Sequence, residues 1–280
     1  MNSFIDFINN LLPFLYIITF TVYSYDFMSE RSFGKANRGL ANYKRLFLFS
    51  TLLIHLIYLL TRTIAFNHPP ITNVFEIFTV MAFSVSFSYF ILELVTDIRG
   101  TGPFIIIYSI IFQVISSIFI KDLIEVKEVL RNNLLGSHVF TALLGLSGFT
   151  ISAVYGFLYL TLYKDIKLNK FGLIFNRLPS LEVLEKLSYL SAVIGFILLT
   201  IAMTIGVIWL PKAFPDFSYS DPKLISSFLV WLLYGIGILS KSLGKWRGKK
   251  VVVLSIIGFV MAIMSTMISN FLAKSFHSFY

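Results

Sequence analysis

Eight apolar stretches constrain this chain more than any other feature, at about residues 5–28, 44–66, 75–97, 103–121, 138–163, 185–211, 222–242 and 251–273. Each holds roughly the 20 residues that an α-helix needs to cross the hydrocarbon core of a bilayer. With 57% of its 280 residues hydrophobic and only 13% charged, the composition lies far from that of a soluble domain. The expectation is an all-α integral membrane protein, a bundle of eight transmembrane helices. The spans use most of the chain, so residues 1–280 read as a single polytopic membrane domain with no separate soluble part.

The net charge of +9 is distributed by loop, which marks it as a topology signal rather than a nucleic-acid surface. With the N-terminus outside, sixteen of the 23 basic residues fall on the inner side. They are Arg31, Lys35, Arg38, Lys44 and Arg45, then Arg99, then Lys164, Lys167, Lys170, Arg177 and Lys186, then Lys241, Lys245, Arg247, Lys249 and Lys250. Both termini are therefore expected outside, with no nucleic-acid partner. The first stretch lacks the basic start and small-residue cleavage site of a signal peptide and is expected to remain as the first helix. The absence of cysteine excludes disulfides, thiolate metal sites and thioether attachment of a heme to this chain.

Among the connections, residues 122–136, "DLIEVKEVLRNNLLG", place Leu123, Val126, Leu130 and Leu134 at helical spacing with charges elsewhere. That pattern predicts an amphipathic helix on the outer surface. On the inner side, Pro179 and Ser180 supply start signals for the sixth span. Asp221 before Pro222 does the same for the seventh, as an N-cap with proline at the first helical position. The three aromatic rings of "FPDFSYS" just before it, Phe214, Phe217 and Tyr219, are left without such an explanation.

The expected topology sorts the four histidines. His138 begins the fifth span, His277 follows the eighth, and His68 precedes a Pro-Pro pair in the loop between the second and third; all three lie on the outer side. Two neutral imidazoles from different helices suit the axial positions of a heme iron, and Phe214, Phe217 and Tyr219 suit the face of a porphyrin. The same histidines also read as ordinary interface residues, and His68 as a turn residue. His55 falls about 16 Å from the outer end of its helix at 1.5 Å per residue, near mid-bilayer. There an ionisable group is either functional or bonded to a neighbouring helix. Glu76 reads as a helix-start acid, while Asp26, Glu93 and Asp97 read as boundary residues reaching toward water.

Residues 67 to 280 resemble the cytochrome c assembly superfamily of heme-handling membrane proteins, which includes CcsA, CcmC and the HemX proteins. The likeness rests on "HPPITNVFEIFTVMAF", "SHVFTALLGLSGFTISAVYGFLYL", "RLPSLEVLEKLSYLSAVIGFILLTIAMTIGVIW", "SDPKLISSFLVWLLYGI", "GKWRGKK" and the terminal "FHSFY", in that order. It implies a non-covalent heme b with His138 and His277 as the axial ligands, and a shelf made of Phe214, Phe217, Tyr219 and Asp221. His55 and His68 form a possible second site. The family's outer loop has the form WGxxWxWDPK. Asp221, Pro222 and Lys223 match it, but Phe214, Ser218 and Ser220 stand where the tryptophans belong.

That departure favours the HemX branch, whose members are associated with control of glutamyl-tRNA reductase. The expectation is accordingly a non-enzymatic heme-binding protein that regulates heme biosynthesis, with glutamyl-tRNA reductase as an inner-side partner, in a bacterial cytoplasmic membrane. The alternative is a CcsA-like subunit that works with a cytochrome c synthetase partner to deliver heme to an apocytochrome. A permease unrelated to heme is the third reading.

Overall fold

In the computed structural model, which describes residues 2–29, 38–98, 100–122, 126, 128–213 and 218–271, the apolar stretches fold as eight long α-helices with a short ninth between two of them. These are α1 (Asn2–Ser29), α2 (Arg38–Phe66), α3 (Val74–Thr96), α4 (Gly102–Phe119), α5 (Asn133–Lys167), α6 (Leu173–Arg177), α7 (Leu181–Ala213), α8 (Pro222–Ser242) and α9 (Lys249–Phe271). All but α6 are long and apolar enough to cross a membrane, and there is no strand among the described residues. The chain divides into two compact units, the first made of Met1–Asn132 with Lys164–Pro179, the second of Asn133–Tyr163 with Ser180–Tyr280.

In the first unit α1 packs on α2 and α4, and α3 packs on α2 and α4, which closes a four-helix bundle. Its interior is polar to an unusual degree. Hydrocarbon offers no hydrogen bonds, so each buried polar group needs a partner on a neighbouring helix. At one end the fully buried Arg62 donates to Glu76 through Nε (3.2 Å) and Nη2 (3.0 Å), and to Asp122 through Nη1 (2.8 Å). The other oxygen of Glu76 accepts from the backbone N–H (2.8 Å) and the hydroxyl (2.7 Å) of Thr72. Asn73 caps α3 by accepting from the Glu76 N–H. Glu76 thus does more than favour a helix start: it is the fully buried partner of a buried arginine.

Midway, His55 accepts from the Tyr16 hydroxyl at Nδ1 (2.9 Å) and bonds Thr79 at Nε2 (3.0 Å). Thr79 donates onward to Gln113, Gln113 to Ser117, and Ser117 to the Asn9 carbonyl. At the far end Tyr23 donates to Glu93 (2.8 Å), Arg45 bridges Glu93 and Asp97, and Lys44 pairs with Asp26. Lys44 and Glu93 are both buried. This corrects the reading of Asp26 and Glu93 as acids reaching for water and of Lys44 as a loop charge: each finds its countercharge inside the bundle, which spares it the cost of unpaired burial.

Two boundaries also differ from expectation. Within residues 122–136 the described part is a single 3₁₀ turn, Glu128–Arg131, followed by the first turn of α5, rather than one amphipathic helix; residues 123–125 and 127 lie outside the described set. The cause is visible at its start. Arg62 holds both the Asp122 carboxylate and the Lys121 carbonyl, a group that a helix would need for its own ladder, and Ile120 is already extended. Only Leu130 of the 3₁₀ turn is buried. Because α5 begins at Asn133, His138 sits in its second turn rather than at its start.

The second unit is held mainly by close approach, with an ion pair between Lys241 and Glu185 beside it. A Cβ on Gly148 of α5 would lie 2.8 Å from the Gly195 Cα of α7, and Ser152 donates to the Ser188 carbonyl at 2.7 Å, so small residues let the two backbones touch. Phe149 stacks on Tyr234 with ring centroids 3.8 Å apart, in a core with Ala192, Val230 and Ala262. The expected start signals act as such: Ser180 Oγ accepts from the Val183 N–H, and Asp221 accepts from the Lys223 N–H at 2.8 Å with Pro222 opening α8.

Arg62→Met is expected to destabilise the first unit by about 3–5 kcal/mol, because it strands the Glu76 carboxylate. The double variant with Glu76→Met is expected to recover most of that loss. Denaturant unfolding in detergent micelles checks both, and a double variant no more stable than Arg62→Met alone would refute the pairing.

Candidate functional site

Of the residues expected to form a site, the structure describes His138, Tyr219, Asp221, His55 and His68, whereas His277, Phe214 and Phe217 lie outside the described residues. His138 and Asp221 belong to the second unit with Tyr219, and His55 and His68 to the first.

His138 is fixed from one side. Its Nδ1 lies 2.8 Å from the Ala202 carbonyl oxygen of α7. A carbonyl only accepts, so Nδ1 carries the proton and Nε2 keeps its lone pair. Among the described residues none is bonded to Nε2. A histidine that ligates a metal commonly donates its other N–H to a backbone carbonyl, which sets the tautomer and the ring orientation. His138 is therefore arranged as such a ligand would be. The approach depends on Gly206, one turn along α7, where an added Cβ would sit 2.9 Å from the His138 Cε1 and 3.3 Å from Nδ1. The site therefore joins the second turn of α5 and the Ala202–Gly206 turn of α7.

Asp221 is buried and spends a carboxylate oxygen on its cap, while Tyr219 in the preceding turn is 67% exposed. The cap fixes where α8 starts and hence where Lys223 stands. A further aromatic stack in this unit is one that the sequence did not single out: Trp231 lies between Phe196 (5.2 Å) and Phe228 (5.7 Å) and donates to Thr200 at 2.8 Å. Thr200 and Ala202 are two positions apart, about 200° around α7, so this stack packs α7 on α8 away from His138.

The histidines of the first unit are engaged differently. His55 is fully buried with both ring nitrogens bonded to protein, which leaves no lone pair for iron in this arrangement. His68 is 2% exposed, bonds the Pro69 carbonyl through Nδ1 (3.0 Å) and stacks on Phe66. Among the described residues no group of three or more His, Cys, Asp or Glu could hold a metal ion. The anchors that sequence reasoning missed, Ala202 and Gly206, leave no mark in an apolar run, where a glycine has many uses.

A sequence model of the family described as Cytochrome C assembly protein matches residues 40–277, most of the chain and both candidate ligand histidines. The chain belongs to the cytochrome c assembly protein family. Its similar proteins include one named cytochrome c biogenesis protein CcsA from Guillardia theta, 26% identical over 238 residues, which cover 78% of this chain and 79% of that protein. A second, of the same name, from Pyropia yezoensis is 26% identical over 285 residues, covering 86% of this chain and 89% of the relative. A third, from Prochlorococcus marinus (strain MIT 9312), is 34% identical over a shorter stretch of 98 residues. As a cytochrome c assembly protein the chain is a multi-pass membrane protein, and the similar proteins named here are called CcsA; none of them carries the HemX name.

Gly206→Ala is expected to push the His138 ring off the Ala202 carbonyl and to cost about 1–3 kcal/mol, the usual penalty of overpacking. Lower unfolding midpoints in detergent and faster carbethoxylation of His138, read by mass spectrometry, check it. Unchanged reactivity of His138 would refute the cradle.

Proposed function

We propose that this cytochrome c assembly protein handles heme as its cargo and presents it for attachment to apocytochrome c, in the manner suggested by the relatives named CcsA. The observation that carries the proposal is the anchoring of His138: Nδ1 is tied to the Ala202 carbonyl, so Nε2 is the atom offered to iron. In this reading His138 and His277 are the two axial ligands of a non-covalently held heme b. Phe214, Phe217 and Tyr219 cover the ring face, and Asp221 acts indirectly by capping α8. Lys223, set in the first turn of α8 by that cap, is suited to a propionate carboxylate.

Bound heme supplies iron for the imidazoles and vinyl groups for the cysteines of a CxxCH acceptor. The chain has no cysteine and no proposed catalytic residue, so its part is to bind, orient and expose the cargo, together with a synthetase partner subunit. We place the His138 end outside and the basic loops inside on the strength of the loop charges.

One observation favours a second reading. Phe214, Ser218 and Ser220 replace the tryptophans of the family's outer loop, which reduces the stacking area and suits a protein that senses heme and controls glutamyl-tRNA reductase. The HemX-like regulator draws no support from the similar proteins, and we rank it second.

The visible spectrum of the detergent-purified protein tests the site. A Soret band is expected that weakens or shifts in both His138→Ala and His277→Ala; a spectrum of free heme in detergent alone would overturn the ligand assignment. Deletion of the gene tests the role. Loss of c-type cytochromes is expected, whereas intact c-type cytochromes with accumulated glutamyl-tRNA reductase would transfer the proposal to the regulator.

A further inference from the structure

We propose that the turn joining α5 to α7 is a recognition surface for the headgroups of anionic phospholipids. The segment from Lys164 to Pro179 belongs to the first unit and connects two membrane-crossing helices through α6, whose five residues are far too few to cross. It therefore lies at a bilayer surface. Lys164, Lys167 and Lys170 are all exposed, and between and beside them so are Ile166, Leu168, Phe171 and Leu173, the last three at 51%, 59% and 50%. The one acid in the segment is Asp165.

Two ordinary explanations cover only half of this pattern. Lysines at the last turn of α5 complement its dipole and help to fix membrane orientation. Neither effect calls for four apolar side chains turned outward among them. Alternating cationic and apolar groups at an interface is the arrangement that meets acyl chains and phosphates together.

The surface is also preformed. The Lys170 N–H closes onto the Asp165 carbonyl at 2.8 Å, Asn169 takes the left-handed conformation (φ 54°), and Phe171 packs edge-on against Phe175 at 4.8 Å. Arg177 fastens the far side by donating to the Met28 carbonyl at the end of α1, where it caps that helix. Among the described residues the acids at this end of the first unit, Asp26, Glu93 and Asp97, are already paired with Lys44 or Arg45, so they do not cancel the lysines. Binding orders little that is not ordered already, which keeps its entropic cost low.

Native mass spectrometry of the full-length protein, released from micelles holding equal amounts of phosphatidylglycerol and phosphatidylcholine, tests this. The protein is expected to retain phosphatidylglycerol preferentially, by about fivefold for each lysine near the headgroup, the factor equivalent to about 1 kcal/mol. Lys164→Gln/Lys167→Gln/Lys170→Gln is expected to lose that preference, and the corresponding triple arginine variant to keep it while folding equally well. Equal retention of the two lipids by the wild type, or an unaltered preference in the glutamine variant, would overturn the proposal. Displacement of phosphatidylglycerol by an equal concentration of inorganic phosphate would also overturn it and assign the lysines to a free anion. Co-purification of an acidic protein through these lysines in place of lipid would reassign the surface to a protein partner.

Discussion

The buried pair of Arg62 and Glu76 is the constraint around which the first unit is organised. A guanidinium and a carboxylate removed from water each carry several kcal/mol of desolvation, which their mutual attraction offsets only when the remaining hydrogen-bonding sites are filled as well. The surroundings of this pair fill them. Thr72 supplies two donors to the second oxygen of Glu76, and Asp122 with the Lys121 carbonyl takes the remaining reach of Arg62. The bend after Phe66, the cap at Asn73 and the end of α4 are thereby drawn to one point. The non-helical backbone at Ile120–Asp122 follows from the same requirement.

The two units solve the bilayer problem by different means. The first brings opposite charges and hydrogen-bonding partners together from four helices, from Asp26 and Lys44 at one end to Arg62 at the other. The second relies on glycine and serine at the contact of α5 with α7, where dispersion at short range replaces the hydrophobic effect that lipid cannot supply. The second presents His138 with one ring nitrogen not bonded to any described residue. A polar core that engages His55 at both nitrogens is suited to rigidity; a core of small residues leaves His138 one nitrogen to spare.

The eight spans were legible because crossing a bilayer demands a length of apolar sequence that nothing else in a chain of this size requires. The helix starts at Ser180 and Asp221 were legible for a similar reason, since capping is local chemistry. Pairings between helices were not. Asn9, Tyr16, Tyr23 and Asp26 recur on α1 at spacings of seven, seven and three, a polar stripe that is visible in the sequence once the helix is accepted. Taken alone, Asp26 read as a boundary residue, and the sequence holds no record of which neighbour meets each member of the stripe. His138 was found by its position in an apolar run, whereas its support was hidden, because Ala202 contributes a backbone atom and Gly206 contributes the lack of a side chain.

That support ties the site to the axial position of α7. In a helix the Ala202 carbonyl already faces the N–H of Gly206, so His138 takes the second lone pair of an acceptor inside the helical ladder. The bond is therefore sensitive to where α7 stands. A shift of α7 by one residue would carry the carbonyl about 100° around its axis and bring a Cβ where Gly206 now gives room. Small-residue contacts at Gly148 and Gly195 resist such a shift on the α5 side, and Trp231 bonded to Thr200 resists it on the α8 side. The orientation of one imidazole is thus the joint product of three helix contacts, which makes close packing, rather than the histidine alone, the property that defines this site.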